Sequence, residues 1–189
     1  MSADAMYLVT KALQARLETV AGAGKVFVGQ LDDPDVGNST LILFLYRIAP
    51  NASLRNREHR VATTAVTAPV AVFANALPLD LHYLLTVGTM PGASEELLLK
   101  TLGAAMQLLQ SDPALTGAGV EHETVHLSLD PLSTEETSRI WALFPTANYR
   151  TSVGYLATPV WIDPKLPEPG APLVVSDRLD AGVRATLAP

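Results

Sequence analysis

Met6, Val9, Leu13, Leu17 and Val20 recur every three to four positions, which predicts a helix over 3–20 with one buried stripe. Gly22 and Gly24 end it. A short strand follows over 25–29, then an acidic turn, Asp32-Asp-Pro-Asp35. Thr40 to Ile48 is apolar at nearly every position and reads as a strand buried on both faces. Residues 50–60 read as a polar loop.

The clearest alternation runs from Leu77 to Val87. Leu79, Leu81, Tyr83 and Leu85 fall on one face, with Asp80, His82 and Thr86 on the other. Pro91-Gly92 turns the chain into a second helix, with Ser94 as its N-cap and Glu95 and Glu96 at the positive end of its dipole. Leu98, Leu102, Ala105 and Leu109 form its buried stripe, and Asp112-Pro113 closes it. Val125, Leu127 and Leu129 then alternate with His126 and Ser128 as another strand. Ser133-Thr-Glu-Glu136 is a capping box opening a third helix, whose apolar face is Ile140, Trp141 and Phe144. The last strand spans 151–162, with Pro159 marking an edge or a bulge. The order α-β-β-β-α-β-α-β predicts one α/β (α+β) domain over 1–162, a mixed sheet with helices packed on it.

From Asp163 the texture changes. Pro164, Pro167, Pro169 and Pro172 predict a stiff, extended tail over 163–189. Val174, Val175, Leu179 and Val183 would add a small strand or stay mobile. Trp161, beside this tail, is placed to pack under it.

With 189 residues, one domain with a sizeable core is expected. The net charge of −6 argues against nucleic-acid binding, which uses a basic footprint. The absence of cysteine removes disulfides, thiolate nucleophiles and Cys-type zinc sites. Lys11 and Arg16 interrupt the first amphipathic segment, so no signal peptide is expected. Val61 to Leu79 is uncharged, but its Ala, Thr, Asn75, Pro69 and Pro78 make it too weakly apolar for a membrane span.

Candidate chemistry is thin. His122 and His126 are four apart, flanked by Glu121 and Glu123. On a helix that spacing would suit a metal, but the local pattern is a strand, which separates the two rings. Asp80, His82 and Ser128 could in principle form a triad, yet no G-x-S-x-G elbow is present and Asp80 and His82 would project side by side. Gly22, Gly24 and Gly29 fit no phosphate-binding spacing. No cofactor, metal or catalytic residue is expected. The one charge concentration is Arg55-Asn-Arg-Glu-His-Arg60, a basic loop in an acidic chain that suits Arg–carboxylate docking.

Three motifs, Asn51-Ala-Ser-Leu-Arg-Asn56, Leu77 to Thr86, and Leu127 to Glu136 followed by Trp141, carry a resemblance. Together they resemble the domain, formerly of unknown function, that forms the N-terminal part of cap (tail-terminator) proteins of extracellular contractile injection systems. The resemblance runs from Thr40 to Ile162. It implies a phage tail-terminator-like fold, a homohexameric ring, and inner-tube and sheath proteins as partners. It implies neither enzymatic activity nor a nucleic-acid or membrane partner. The implied location is the cytoplasm during assembly and then a phage tail-like particle. Many members carry a further C-terminal region, where only the short tail from Asp163 stands here. Arg55 and Asn56 carry over as contact candidates. A head-to-tail ring needs two different patches on each subunit. Arg55, Asn56, Arg57, His59 and Arg60 on one side, and Asp32, Asp33 and Asp35 on the other, are the expected pair. The competing expectation is a small ligand- or peptide-binding regulatory module.

Overall fold

The first helix, α1 (Ala5–Ala21), lays Ala5, Val9, Leu13 and Leu17 against the sheet. The stripe is rotated slightly from the expected one: Ala5 replaces Met6, and Val20 is 38% exposed. Gly22, at φ 97°, ends the helix by donating its N–H to Glu18 O. The computed structural model describes residues 1–62 and 70–167. The expectations for Pro169, Pro172, Val174, Val175, Leu179 and Val183, and for 63–69 of the uncharged stretch, lie outside the described residues.

Among the described residues, eight strands and two further helices follow: β1 (Val26–Val28), β2 (Leu41–Pro50), β3 (His59–Ala62), β4 (Val70–Phe73), β5 (Leu77–Val87), α2 (Glu95–Ser111), β6 (Ala114–Leu115), β7 (Val125–Asp130), α3 (Thr134–Trp141) and β8 (Ser152–Ile162). Six strands form one sheet in the order β1-β2-β5-β8-β7-β6, while β3 and β4 pair separately. Among the described strands β1 and β2 are parallel and the other neighbours antiparallel, so the sheet is mixed.

α1 and α2 cover one face. Their leucines meet Leu41, Leu43, Leu81, Leu85, Tyr155 and Ala157 in the main core. On the opposite face a smaller cluster joins Leu31, Val36, Ile42, Leu84, Trp141 and Phe144. Phe144 contributes from beyond the end of α3, its ring edge-on to Phe44 at 5.3 Å. This second cover reaches only part of the sheet. β2 is therefore buried on both faces at Leu41–Leu43 but exposed at Arg47, Ile48 and Pro50, which corrects the expectation of a strand buried throughout.

Local signals behave as their chemistry requires. Ser94 Oγ accepts from Leu97 N at the start of α2, and Ser133 and Glu136 form the reciprocal capping box of α3. Pro159 lies in β8, a central strand, at a bulge. Leu79 pairs with Val160 and Leu81 with Ala157, so Asp80 faces two residues.

Tyr83 is fully buried beneath α1. Its hydroxyl lies 2.8 Å from Thr10 Oγ1, whose own proton goes to Met6 O. Burial pushes the Tyr83 phenol up to about 12, because phenolate is disfavoured in an apolar core. The raised folded-state value means this group costs nothing below the unfolded pKa near 10. Stability is then lost as pH rises through the folded value. Stability is expected to be insensitive to Tyr83 up to about pH 10 and to fall between about pH 10 and 12, by on the order of 2–3 kcal/mol, with the melting temperature falling accordingly. Melts of the wild type and Tyr83→Phe across that range check it: a slope that Tyr83→Phe leaves unchanged would assign the loss to other groups.

Candidate functional site

The two charged segments sit at opposite ends of β2. The acidic turn leads into Leu41, and the basic loop leaves Pro50. Nine residue steps of strand separate them by about 30 Å.

Asn51 builds the basic loop. Its Nδ2 donates to Asp80 Oδ1 (2.9 Å) and Thr158 Oγ1 (3.1 Å), while its Oδ1 accepts from Ser53 N and Leu54 N, both at 3.0 Å. One amide thus ties the loop to β5 and β8 and folds it into an Asx turn. Leu54 O then accepts from Arg57 N. The tip, Arg55, Asn56 and Arg57, is exposed. Arg60 is also exposed but committed to Glu58, with Nη2 2.8 Å from Oε2.

His59 departs from its expected place on that surface. It is only 6% exposed and stacks on Trp161 at 4.5 Å with the rings 9° apart. Its Nδ1 lies 2.7 Å from Asp163 Oδ1 and its Nε2 3.2 Å from Glu123 Oε1. The imidazole is thus a strut joining β3 to the end of β8. Sequence reading gives no local signal for this, because its partners lie more than 60 residues away.

In the acidic turn, Asp33 Oδ1 accepts from Asp35 N at 2.9 Å and caps a 3-10 turn over Pro34–Asn38. Asp32 Oδ2 accepts from Thr146 Oγ1 at 3.2 Å. Asp35 is the exposed member, and its carboxylate makes no hydrogen bond among the described residues.

Among the described residues, the other polar groups singled out from the sequence do not come together. His82 Nδ1 pairs with Asp130 Oδ2 at 2.7 Å, not with Asp80, whose Oδ1 serves Asn51 and Thr158. Tyr46 donates to the same Asp130 oxygen at 3.0 Å. Burial, and then the hydrogen bond to Asp130, push the Tyr46 phenol well above its ordinary value. Ser128 occupies the same row as His82 but two strands away, with Leu156 between them. Two strand spacings are about 9.5 Å, too far for a serine–imidazole hydrogen bond. His122 is not in a strand. It and Glu121 take left-handed conformations, φ 63° and 52°, in the turn before β7, so only His126 projects from the sheet. Among the described residues no three His, Asp or Glu groups converge to hold a metal ion, and no helix is long and apolar enough to cross a membrane.

Comparison with known proteins adds to this geometry. Residues 8–176 match the family model of the Pvc16 N-terminal domain. Two solved structures are similar in fold. One is the PVC sheath/tube terminator of an extracellular contractile injection system in its extended state, 17% identical with a TM-score of 0.58 over 97% of this chain and 65% of that chain. The other is the anti-feeding prophage cap, a tube-terminating cap, 18% identical with a TM-score of 0.59 over 96% of this chain and 63% of that one. The chain therefore spans slightly less than two thirds of either structure. No curated protein sequence matches it.

Proposed function

The chain belongs to the Pvc16 N-terminal domain family, and from that premise we propose that it is a structural cap of a contractile injection system. In this reading, copies of the chain close into a ring, a homohexamer, that terminates the inner tube and meets the last sheath layer. The observation that carries the reading is the family match over residues 8–176, together with a fold shared with two tube terminators along nearly the whole chain.

The mechanism is steric and interfacial. A ring that matches the last tube layer on one face and offers no repeat of the tube surface on the other stops further addition. The separation of charge suits this: a basic loop held rigid by Asn51 stands at one end of the sheet and the acidic turn about 30 Å away at the other. Asp80 serves Asn51 and Thr158, and His82 serves Asp130, which agrees with a structural role for that row of the sheet.

Electron microscopy of particles from producing cells with and without the gene tests the proposal. The expected result without it is missing end density and absent or irregular-length particles. Unchanged lengths with intact caps would reject the cap and favour a binding module that acts elsewhere.

A further inference from the structure

Arg150 lies just before β8, at the end of the sheet where the acidic turn enters. The register fixes this level: Leu41 pairs with Val87, Thr86 with Ser152, and Val87 N donates to Thr151 O. The guanidinium sits over the Trp141 ring, 5.9 Å from its centroid. Trp141 is itself pinned by its Nε1 donating to Ser152 Oγ and by the edge of Tyr149.

Arg150 has no carboxylate partner within 4 Å among the described residues. Its Nη1 is buried and meets no hydrogen-bond acceptor. Burial lowers its pKa, since the charge is only partly solvated. Guanidinium nitrogens are obligate donors that cannot be neutralised by losing a proton at ordinary pH. A desolvated, unpaired one is a cost that an isolated subunit has no reason to carry. Beside it runs a groove of about 390 Å³ bordered by Val87, Leu98, Leu99 and Tyr149, with Glu95 also on its lining. Leu99 and Tyr149 are 43% and 65% exposed. An apolar rim around an arginine that lacks its partner is the composition of a protein-binding spot.

We infer that this groove receives a carboxylate of a second copy of the chain, supplied by Asp35. The inference rests on the ring reading above. Three observations select this occupant. The groove is lined by an arginine with no carboxylate partner among the described residues, and a carboxylate entering it answers that charge. Nη1 itself is closed to solvent and is not the contact atom. Asp35 is exposed and unbonded, unlike Asp33, which caps its turn. The turn and Arg150 also stand at the same end of the sheet. With the proposed ring axis taken along the strands, neighbours keep their height and contacting patches are level with each other. The basic loop, about 30 Å away, does not meet that condition, whereas Arg150 does.

The test is sedimentation velocity of the full chain across a concentration series, with thermal melts at dilutions where every variant is a single chain. The wild type is expected to assemble. Arg150→Gln and Asp35→Asn should each raise the half-assembly concentration at least about tenfold. The double variant should be no worse than the weaker single within about twofold, because both remove one contact. Arg150→Lys should fall between wild type and Arg150→Gln. The Arg150→Gln subunit should melt at or above the wild-type temperature, since removing an unpaired buried charge does not harm the fold. A large drop in melting temperature would make Arg150 structural and overturn the inference, as would multiplicative effects in the double variant or an Asp35→Asn protein that assembles normally. A wild type that assembles equally well as Arg150→Gln rejects only this contact. A wild type that stays a single chain at every concentration rejects the ring as well.

Discussion

Gly88→Ala is expected to cost about 3 kcal/mol or more, the upper end of overpacking penalties, and to lower the melting temperature by roughly 6–12 °C for a chain of this size. A Cβ built on Gly88 would stand 2.0 Å from Ser39 O and 2.9 Å from Thr40 C. Both are backbone atoms, and neither can rotate aside. Gly88 N donates to Thr40 O and Met90 N to Ser39 O, so the methyl would force apart the same two segments that these bonds hold together. Thr40 is in turn fixed from the other side by Lys25 O. Relief requires β2 or β5 to move at the point where the acidic turn joins the sheet. Gly103 supplies the contrast. It lies on the exposed face of α2, where an added Cβ would meet nothing within 4 Å, so Gly103→Ala should stabilise by about 0.8–1 kcal/mol. Denaturant melts of the two variants check both signs. A Gly88→Ala protein as stable as the wild type would mean that the strands part here without cost.

Elements governed by local chemistry were legible in the sequence. β5 runs over Leu77–Val87 as its alternation requires, because each polar position on it faces the incompletely covered side of the sheet. α2 and α3 begin at Ser94 and Ser133, where a side chain can satisfy the first free N–H groups. The mixed sheet with helices packed on it also follows from the order of elements, whereas the division of that cover between two faces appears only in the fold. What was not legible depends on distant partners. His59–Ala62 reads as loop because one short polar strand has no pattern of its own, and its pairing with Val70–Phe73 is what makes it a strand. His59 reads as a surface residue in a basic run, yet Trp161 and Asp163 draw it inside. Arg150 carried no signal at all: its interest lies in a missing partner, which only the folded surroundings reveal. The basic tip and the acidic turn were found as charge patterns, but their placement at opposite ends of one strand is a property of the fold.

That placement sharpens what the basic tip can do. Arg55 and Arg57 stand on a loop whose shape is set by Asn51, so their charges are presented without a large ordering cost on binding. Neither makes an ion pair among the described residues, whereas Arg60 already serves Glu58. Arg55→Glu with Arg57→Glu is therefore expected to leave the fold within about 0.5 kcal/mol of the wild type, as exposed substitutions usually do. In the proposed cap, the same change should abolish attachment to tube and sheath ends, because an acidic docking surface would then meet like charge. Replacing both by alanine should give a milder loss that added salt mimics, since exposed charges are screened over about 8–10 Å at physiological ionic strength. Purified variant added to uncapped particles and scored for end density by electron microscopy, beside a melt of the same sample, separates binding from folding. Full capping by the reversed-charge protein would remove the loop from the contact.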